Sequence, residues 1–294
     1  MYKIQLYFII CVLAAGCGIN ATDEESESQD GRAEDKVKQV FDQTSEQYGV
    51  FFVWVPPGKK MVGTNNSQAD LHETPQVLFE LNRGFYIGRS EVTADQYLTI
   101  VPSAKGLYAE GQQPVRVKWS DAKEFCNKLN RLRIKEGHKK GVFRLPFEFE
   151  WEYIATYGRP INDDWWPTHS RYPDKLLAEY ENYDLYYDSP HSNKTNNVNE
   201  VKKLKPNPVG VYDILGNVSE WCEGPFAKDV ASMIDMDHEI ENTDEGQKPI
   251  RGGDYLDSIS ELRPSIRRSR RDHHVAGFRI LFDPYSNLIE SPVD

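Results

Sequence analysis

The chain has 294 residues and a formal charge of −11, with 39% hydrophobic and 12% aromatic residues. The acidic balance argues against a nucleic-acid binder, which needs a basic face for phosphates, and the aromatic content excludes a wholly disordered or collagen-like chain. No apolar run reaches the ~20 residues of a membrane-spanning helix, and four Cys are too few for a disulfide scaffold.

Lys3 is the only charge before residue 23, and Ile4 to Ala15 is an apolar stretch broken only by Gln5. With the small residues that follow, this reads as a secretory signal over residues 1–16. Leu13-Ala14-Ala15-Gly16-Cys17 resembles the lipobox of bacterial lipoproteins, which implies that Cys17 is acylated and becomes the first residue. Gly18, rather than Asp, follows Cys17, which favours the outer membrane within a lipid-anchored envelope location. Acyl chains hold such a protein at the membrane at ~0.8 kcal/mol per buried CH₂. Residues 17–48 read as the lipidated Cys and an acidic tether: residues 20–48 hold nine acidic and three basic side chains, a composition that stays solvated and extended.

Residues 49–284 form the expected folded domain, followed by a tail at 285–294. Val50 to Val55 is a β-rich run stopped by Pro56-Pro57-Gly58, and Phe79 to Ile87 is a second strand region. Thr93 with Gln96 three residues on is a capping box that starts a short helix at Ala94. Ser120 is expected to cap a longer helix whose buried stripe is Ala122, Phe125, Cys126, Leu129 and Leu132, ended by Gly137. A third helix is expected from Phe147 to Tyr157, stopped by Gly158; Trp151 lies off its apolar stripe and is left for a second contact. Residues 159–250 carry turn residues and many Tyr with little periodicity. Gly277 to Phe282 reads as the last strand, and no internal repeat is visible.

Five segments, in order, carry a resemblance. They are Phe85 to Thr93; Pro114-Val115 leading to Trp119-Ser120-Asp121-Ala122 and Cys126; Arg144-Leu145-Pro146 leading to Glu150-Trp151-Glu152-Tyr153; Gly210 to Trp221; and Arg251-Gly252-Gly253 leading to Gly277-Phe278-Arg279. Together they resemble the formylglycine-generating enzyme family, the sulfatase-modifying factor domain, over roughly residues 50–283. The resemblance implies an α+β, C-type-lectin-like fold: loop-rich, with small antiparallel sheets and two or three helices. Gly252-Gly253 suits a turn with positive φ or a close chain approach. Arg279, set among core positions, needs a carboxylate or carbonyl partner, with Glu220 and Glu152 as candidates. Asn217, Glu220 and the carbonyls of Gly216 and Val218 are a hard-oxygen cluster similar to a calcium-binding loop of the family. The Asn- and Asp-rich stretch Asn182 to Asn199 is a candidate for a second ion.

The departures matter most. The resemblance places two copper-binding Cys, five residues apart, shortly after the Arg-Gly-Gly turn; soft thiolates suit Cu(I). The matching positions here are Asp257 and Leu262, and no Cys follows Cys222. Copper is therefore not expected. Cys126 and Cys222 read as core thiols, with a disulfide between them as the alternative. Phe147 stands where relatives carry a capping Thr, and Ser219 where they carry a Trp.

Arg267-Arg268-Ser269-Arg270-Arg271 is a basic run followed by Asp272, His273 and His274. It reads as a solvated loop with structural ion pairs or as an anion-recognition surface. Adjacent His273 and His274 would point apart in an extended chain, a poor metal pair. No His-Glu-x-x-His, Gly-x-Ser-x-Gly or phosphate-loop motif occurs. Asp257, Arg270, Arg271 and His273 are the candidate cleft residues, because they flank the place of the family's chemistry. The leading expectation is a lipid-anchored, non-oxidase module that binds a protein or glycan partner at the cell envelope. The alternatives are a formylglycine-generating oxidase or divergent oxygen-using relative, and a maturation factor for an exported metalloenzyme.

Overall fold

The computed structural model describes residues 48–67, 69–157, 197–235, 246–258 and 261–288, all within the unit Gln43–Asp294. The signal, Cys17, nearly all of the tether, Gly158 and Asn182 to Asn196 lie outside the described residues.

A four-stranded antiparallel sheet runs in the order β1 (Phe52–Val55), β4 (Phe85–Gly88), β9 (Leu281–Asn287), β5 (Lys140–Arg144). A two-stranded sheet pairs β2 (Gly58–Val62) with β3 (Val77–Leu81). A third joins β6 (Glu220–Trp221), β7 (Gln247–Arg251) and β8 (Arg268–Arg271), both pairs antiparallel. The helices are α1 (Ala94–Ile100), α2 (Trp119–Lys135), α3 (Glu148–Ala155) and the short α4 (Val230–Ile234). Few helices, small antiparallel sheets and long ordered loops make up the expected α+β, C-type-lectin-like fold.

Several local expectations hold for the reasons given. α1 starts at a capping box: the Gln96 N–H donates to Thr93 Oγ1 and the Thr93 N–H to Gln96 Oε1. α2 buries Ala122, Phe125, Cys126 and Leu129 and runs out before Gly137, whose φ is +85°; Leu132, the last member of the expected stripe, is only half-buried, and Arg133 is buried next to it.

Others are corrected. Phe79–Ile87 is not one strand but the end of β3 and most of β4, in different sheets. The break passes through Gly84, where a Cβ would lie 2.2 Å from the Trp54 ring. Ser120 is not the cap of α2. The helix begins at Trp119 without a side-chain cap, and Asp272 reaches in to accept bonds from the Ser120 N–H and hydroxyl at 2.7 and 2.9 Å. α3 spans Glu148–Ala155, shorter than expected. Phe147 supplies no capping oxygen; Glu150 accepts the Phe147 N–H at 2.8 Å, and the ring stacks on Phe149. The last strand is Leu281–Asn287, so residues 285–287 of the expected tail belong to the sheet, and Gly277–Ile280 are buried outside it.

The main core gathers Val55, Phe85, Ile87, Trp151, Ile154, Leu215, Cys222, Leu262 and Leu281. A smaller one packs Val62, Ala227, Val230 and Met233 beside Phe79 and Phe149. Apolar burial here is worth about 25 cal/mol per Å², and it carries two networks of buried charge with it.

Candidate functional site

The first network centres on Arg279. The backbone around it is tied to β4 and the turn after it, with Gly88 N–H donating to Ile280 C=O and Val92 N–H to Phe278 C=O at 2.8 Å each. Its guanidinium, fully buried, donates through Nε to Glu220 Oε2 at 2.6 Å and through Nη2 to Glu220 Oε1, and reaches the carbonyls of Gly88, Tyr212 and Asp213. Glu220 is the partner expected from the sequence; Glu152, the other candidate, pairs elsewhere. Trp151 Nε1 donates to the same Glu220 Oε2 at 2.9 Å, which is the second contact its off-stripe position called for.

Two more carboxylates crowd this pair. Glu91 accepts from Asn217 Nδ2 at 3.0 Å, while its Oε2 is buried with no hydrogen-bond partner among the described residues. Burial, then Asp213 and Glu220, push the Glu91 carboxyl well up, with Arg279 opposing. Burial pushes Asp213 up to about 6, against the pull of the Lys202 amide and Arg279. The Asp213 effect has a definite sign. Its unfolded carboxyl releases a proton near ~3.9 and the folded one near 6. Over that interval the folded chain holds the extra proton, so stability falls as pH rises. Asp213→Asn removes this loss, and Asn suits the left-handed φ of +52°. The denaturation midpoint of the variant is expected to gain on the wild type between about pH 4 and 6 and to keep a constant lead above about pH 7. A difference that is flat or shrinks over the lower interval contradicts this assignment.

The second network meets the face of the Trp151 ring, whose centre sits 5.2 Å from the Arg251 guanidinium carbon. Arg251 binds Glu152 and the Pro264 carbonyl, and meets Glu148 at 3.5 Å. Arg267 forms a fork on Glu148 at 2.9 and 2.7 Å. All four side chains are buried. Glu152 also accepts the Gly63 N–H at 2.7 Å, which ties β2 to α3.

Between the networks lies the Gly252-Gly253 turn, with φ +92° and +71°. A Cβ on Gly253 would lie 2.6 Å from Leu262 Cδ2 and 2.9 Å from Asp257 Oδ2. The two positions that the resemblance assigns to copper thiolates thus meet at one glycine. Leu262 is fully buried in the main core. Asp257 Oδ2 accepts the Asp254 N–H at 2.8 Å and Arg268 at 2.7 Å.

Cys126 and Cys222 are free and buried. Burial pushes the Cys126 thiol up to about 12 and Cys222 well up too, so both are held as thiols, whereas thiolate is the metal ligand and nucleophile.

The calcium candidates are engaged by the protein itself. Both Glu220 oxygens accept from Arg279, and Asn217 Oδ1 accepts the Asn199 N–H at 2.9 Å. Each of these side-chain oxygens accepts at least one hydrogen bond within the protein, and Gly216 and Val218 offer their backbone carbonyls.

Asp257 pairs with Arg268, not with Arg270 or Arg271. Arg270 and Arg271 are exposed on β8, and His273 is exposed in the turn after it. The basic run is a strand rather than a solvated loop. Its first member is core, its second is ion-paired and its last two face solvent. The His273 and His274 rings lie together, with centroids 4.4 Å apart, because the chain turns there and is not extended. Sequence reasoning missed Glu91, Asp213 and Glu148. Their positions beside the motif glycines and aromatics were the available signal.

This scaffold of buried Arg–Glu forks around a double-glycine turn defines a sulfatase-modifying-factor type of domain. A family model described as the sulfatase-modifying factor enzyme 1-like domain matches residues 37–284, and the chain belongs to that family. The chain is similar to the "Chaperone protein LppX" of Paenibacillus barcinonensis, 28% identical over 175 residues, 47% of this chain and 61% of that protein. It is similar to the serine/threonine-protein kinase pkn1 of Chlamydia caviae, 26% identical over 239 residues, 73% of this chain and 34% of the kinase. The chain therefore spans about three fifths and one third of these curated relatives. Among solved structures it is similar in fold to PvdO from Pseudomonas aeruginosa, with a TM-score of 0.63 and 23% identity over 79% of this chain and 94% of that one.

Proposed function

We propose that this protein is a lipid-anchored binding or scaffold module of the bacterial cell envelope, acting on a protein or glycan partner and not as a formylglycine-generating oxidase. One observation carries the reading: at the glycine turn where the family's oxidases place two thiolates, this chain sets a core leucine and an ion-paired aspartate. A side chain buried in the core and a carboxylate bound to Arg268 supply no soft ligand and no redox chemistry. The two cysteines among the described residues are enclosed, and burial pushes their thiols up, away from thiolate. Buried ion-pair networks instead hold a rigid frame, which suits presentation of a fixed surface. A relative named as a chaperone supports a protein partner. A match confined to a third of a protein named as a kinase supports a domain that serves larger assemblies.

Two measurements test the reading together. Metabolic labelling with a clickable fatty acid is expected to mark the wild type and to be lost in Cys17→Ala, which should leave the envelope fraction. Cross-linking in intact cells is expected to trap a discrete partner. Equal labelling of both chains contradicts the anchor, and a wild-type chain that cross-links to nothing contradicts the binding role.

A further inference from the structure

Among the described residues β8 is the outer strand of its sheet, and its hydrogen-bond phase follows from β6. The Cys222 N–H donates to the Pro249 carbonyl at 3.0 Å, so Pro249 faces β6 while Lys248 and Ile250 face β8. Their partners are Arg270 and Arg268. Bonded and non-bonded pairs alternate in an antiparallel ladder. Ser269 and Arg271 therefore turn their N–H and C=O groups to the open edge. The Arg271 carbonyl accepts the His274 N–H, and the Ser269 carbonyl is met by the Arg270 side chain, each at 3.0 Å. Among the described residues nothing meets the Ser269 or Arg271 N–H groups.

Among the described residues, the same strand carries charge beyond Arg268 that has no ion-pair partner. Lys248 and Arg270 stand directly opposite one another, and like charges at that spacing repel. Lys248 lies 4.1 Å from the centre of the Trp119 ring. The ion pairs of β8 stop at Arg268, which holds Asp257 and Glu261. Arg270, Arg271 and His273 are exposed in a chain of net charge −11.

We propose that β8 is a docking edge for an extended acidic peptide segment of a protein partner. The segment adds as a fourth strand and sets a carboxylate against Arg270 and Lys248. This deepens the binding reading above and rests on it. Strand addition takes affinity from main-chain bonds and specificity from alternate side chains, and both are offered here in register. Cations on an edge strand also discourage self-pairing, but that purpose needs no second cation across the ladder on β7.

The test uses the full chain and three fluorescent octapeptides: alternating valine and glutamate, the same with alternate backbone amides methylated, and alternating valine and lysine. The acidic peptide is expected to bind, and more weakly as salt is raised. Amide methylation and Ser269→Pro are each expected to weaken it about tenfold, since each removes edge bonds. Proline is tolerated at 269 because its missing N–H is the outward one. Arg270→Glu is expected to weaken it by a similar factor. Binding no tighter than that of the lysine peptide, or unchanged by amide methylation, overturns the proposal. So does a sulfated polysaccharide that competes fully and is lost in Arg270→Glu but not in Ser269→Pro, which would make the patch a polyanion site. A cross-linked envelope partner retained equally by Ser269→Pro and Arg270→Glu leaves the binding role standing and removes β8 from it.

Discussion

Arg279→Met is expected to destabilise the domain by about 3–5 kcal/mol, the range for removing one partner of a buried ion pair. The guanidinium is wholly enclosed, neutralises Glu220 on both oxygens and satisfies three carbonyls. Without it, Glu220, Asp213 and Glu91 share one buried volume with no cation among them. For a domain of this size each kcal/mol moves the melting temperature by about 2–4 °C, so a fall of about 10 °C is expected by circular dichroism. A shift under about 2 °C contradicts the role given to Arg279. The double variant Arg279→Met, Glu220→Leu separates the explanations. A buried pair replaced as a unit by apolar side chains is often close to neutral, so the double variant is expected to melt above the single one. If it melts lower, the carbonyl contacts and not the charge pair dominate.

Glu148→Ala is expected to have an effect of similar size, for the mirror-image reason. Glu148 is the carboxylate shared by Arg267 and Arg251. Its loss leaves two buried guanidiniums with Glu152 as their remaining carboxylate, a deficit of about 3–5 kcal/mol. The damage has a direction. Arg267 lies shortly after Leu262 in sequence, and its fork on Glu148 holds the Arg267 end of that segment against α3. Amide exchange at Leu262 and Arg263 is therefore expected to accelerate more than exchange in β1 or β4. Glu148→Gln keeps the shape and one acceptor, so its loss is expected to be smaller. Uniform acceleration across all strands would mean that Glu148 supports the whole domain and not this segment.

Much of the frame is legible in local chemistry. The Thr93–Gln96 box, the buried stripe of α2 and the Gly252-Gly253 turn each follow from neighbours in sequence, and the structure realises all three. Arg279 with Glu220 was legible too, because a charge among core positions requires a nearby opposite charge. What failed needed distant chain. Asp272 caps α2 from 152 residues away, so the Ser120 signal was local and misleading. Glu152 was one of two carboxylates offered to Arg279, and only the fold assigns it to Arg251. The basic run looked like a solvated loop because the partner of its first arginine, Arg267, is Glu148, 119 residues distant. The four candidate cleft residues were chosen for closeness in sequence to the glycine turn; Asp257 pairs with Arg268, and Arg270, Arg271 and His273 are exposed.

At the turn where the oxidases of the family carry two thiolates, Leu262 and Asp257 stand here against Gly253. The most direct test is a Cu(I) titration of the reduced full chain against a competing chelator, followed by oxygen uptake with a Cys-containing peptide. The account predicts that the chelator keeps the copper and that no oxygen is consumed above the blank. A tight 1:1 complex with peptide-dependent oxygen uptake would contradict it.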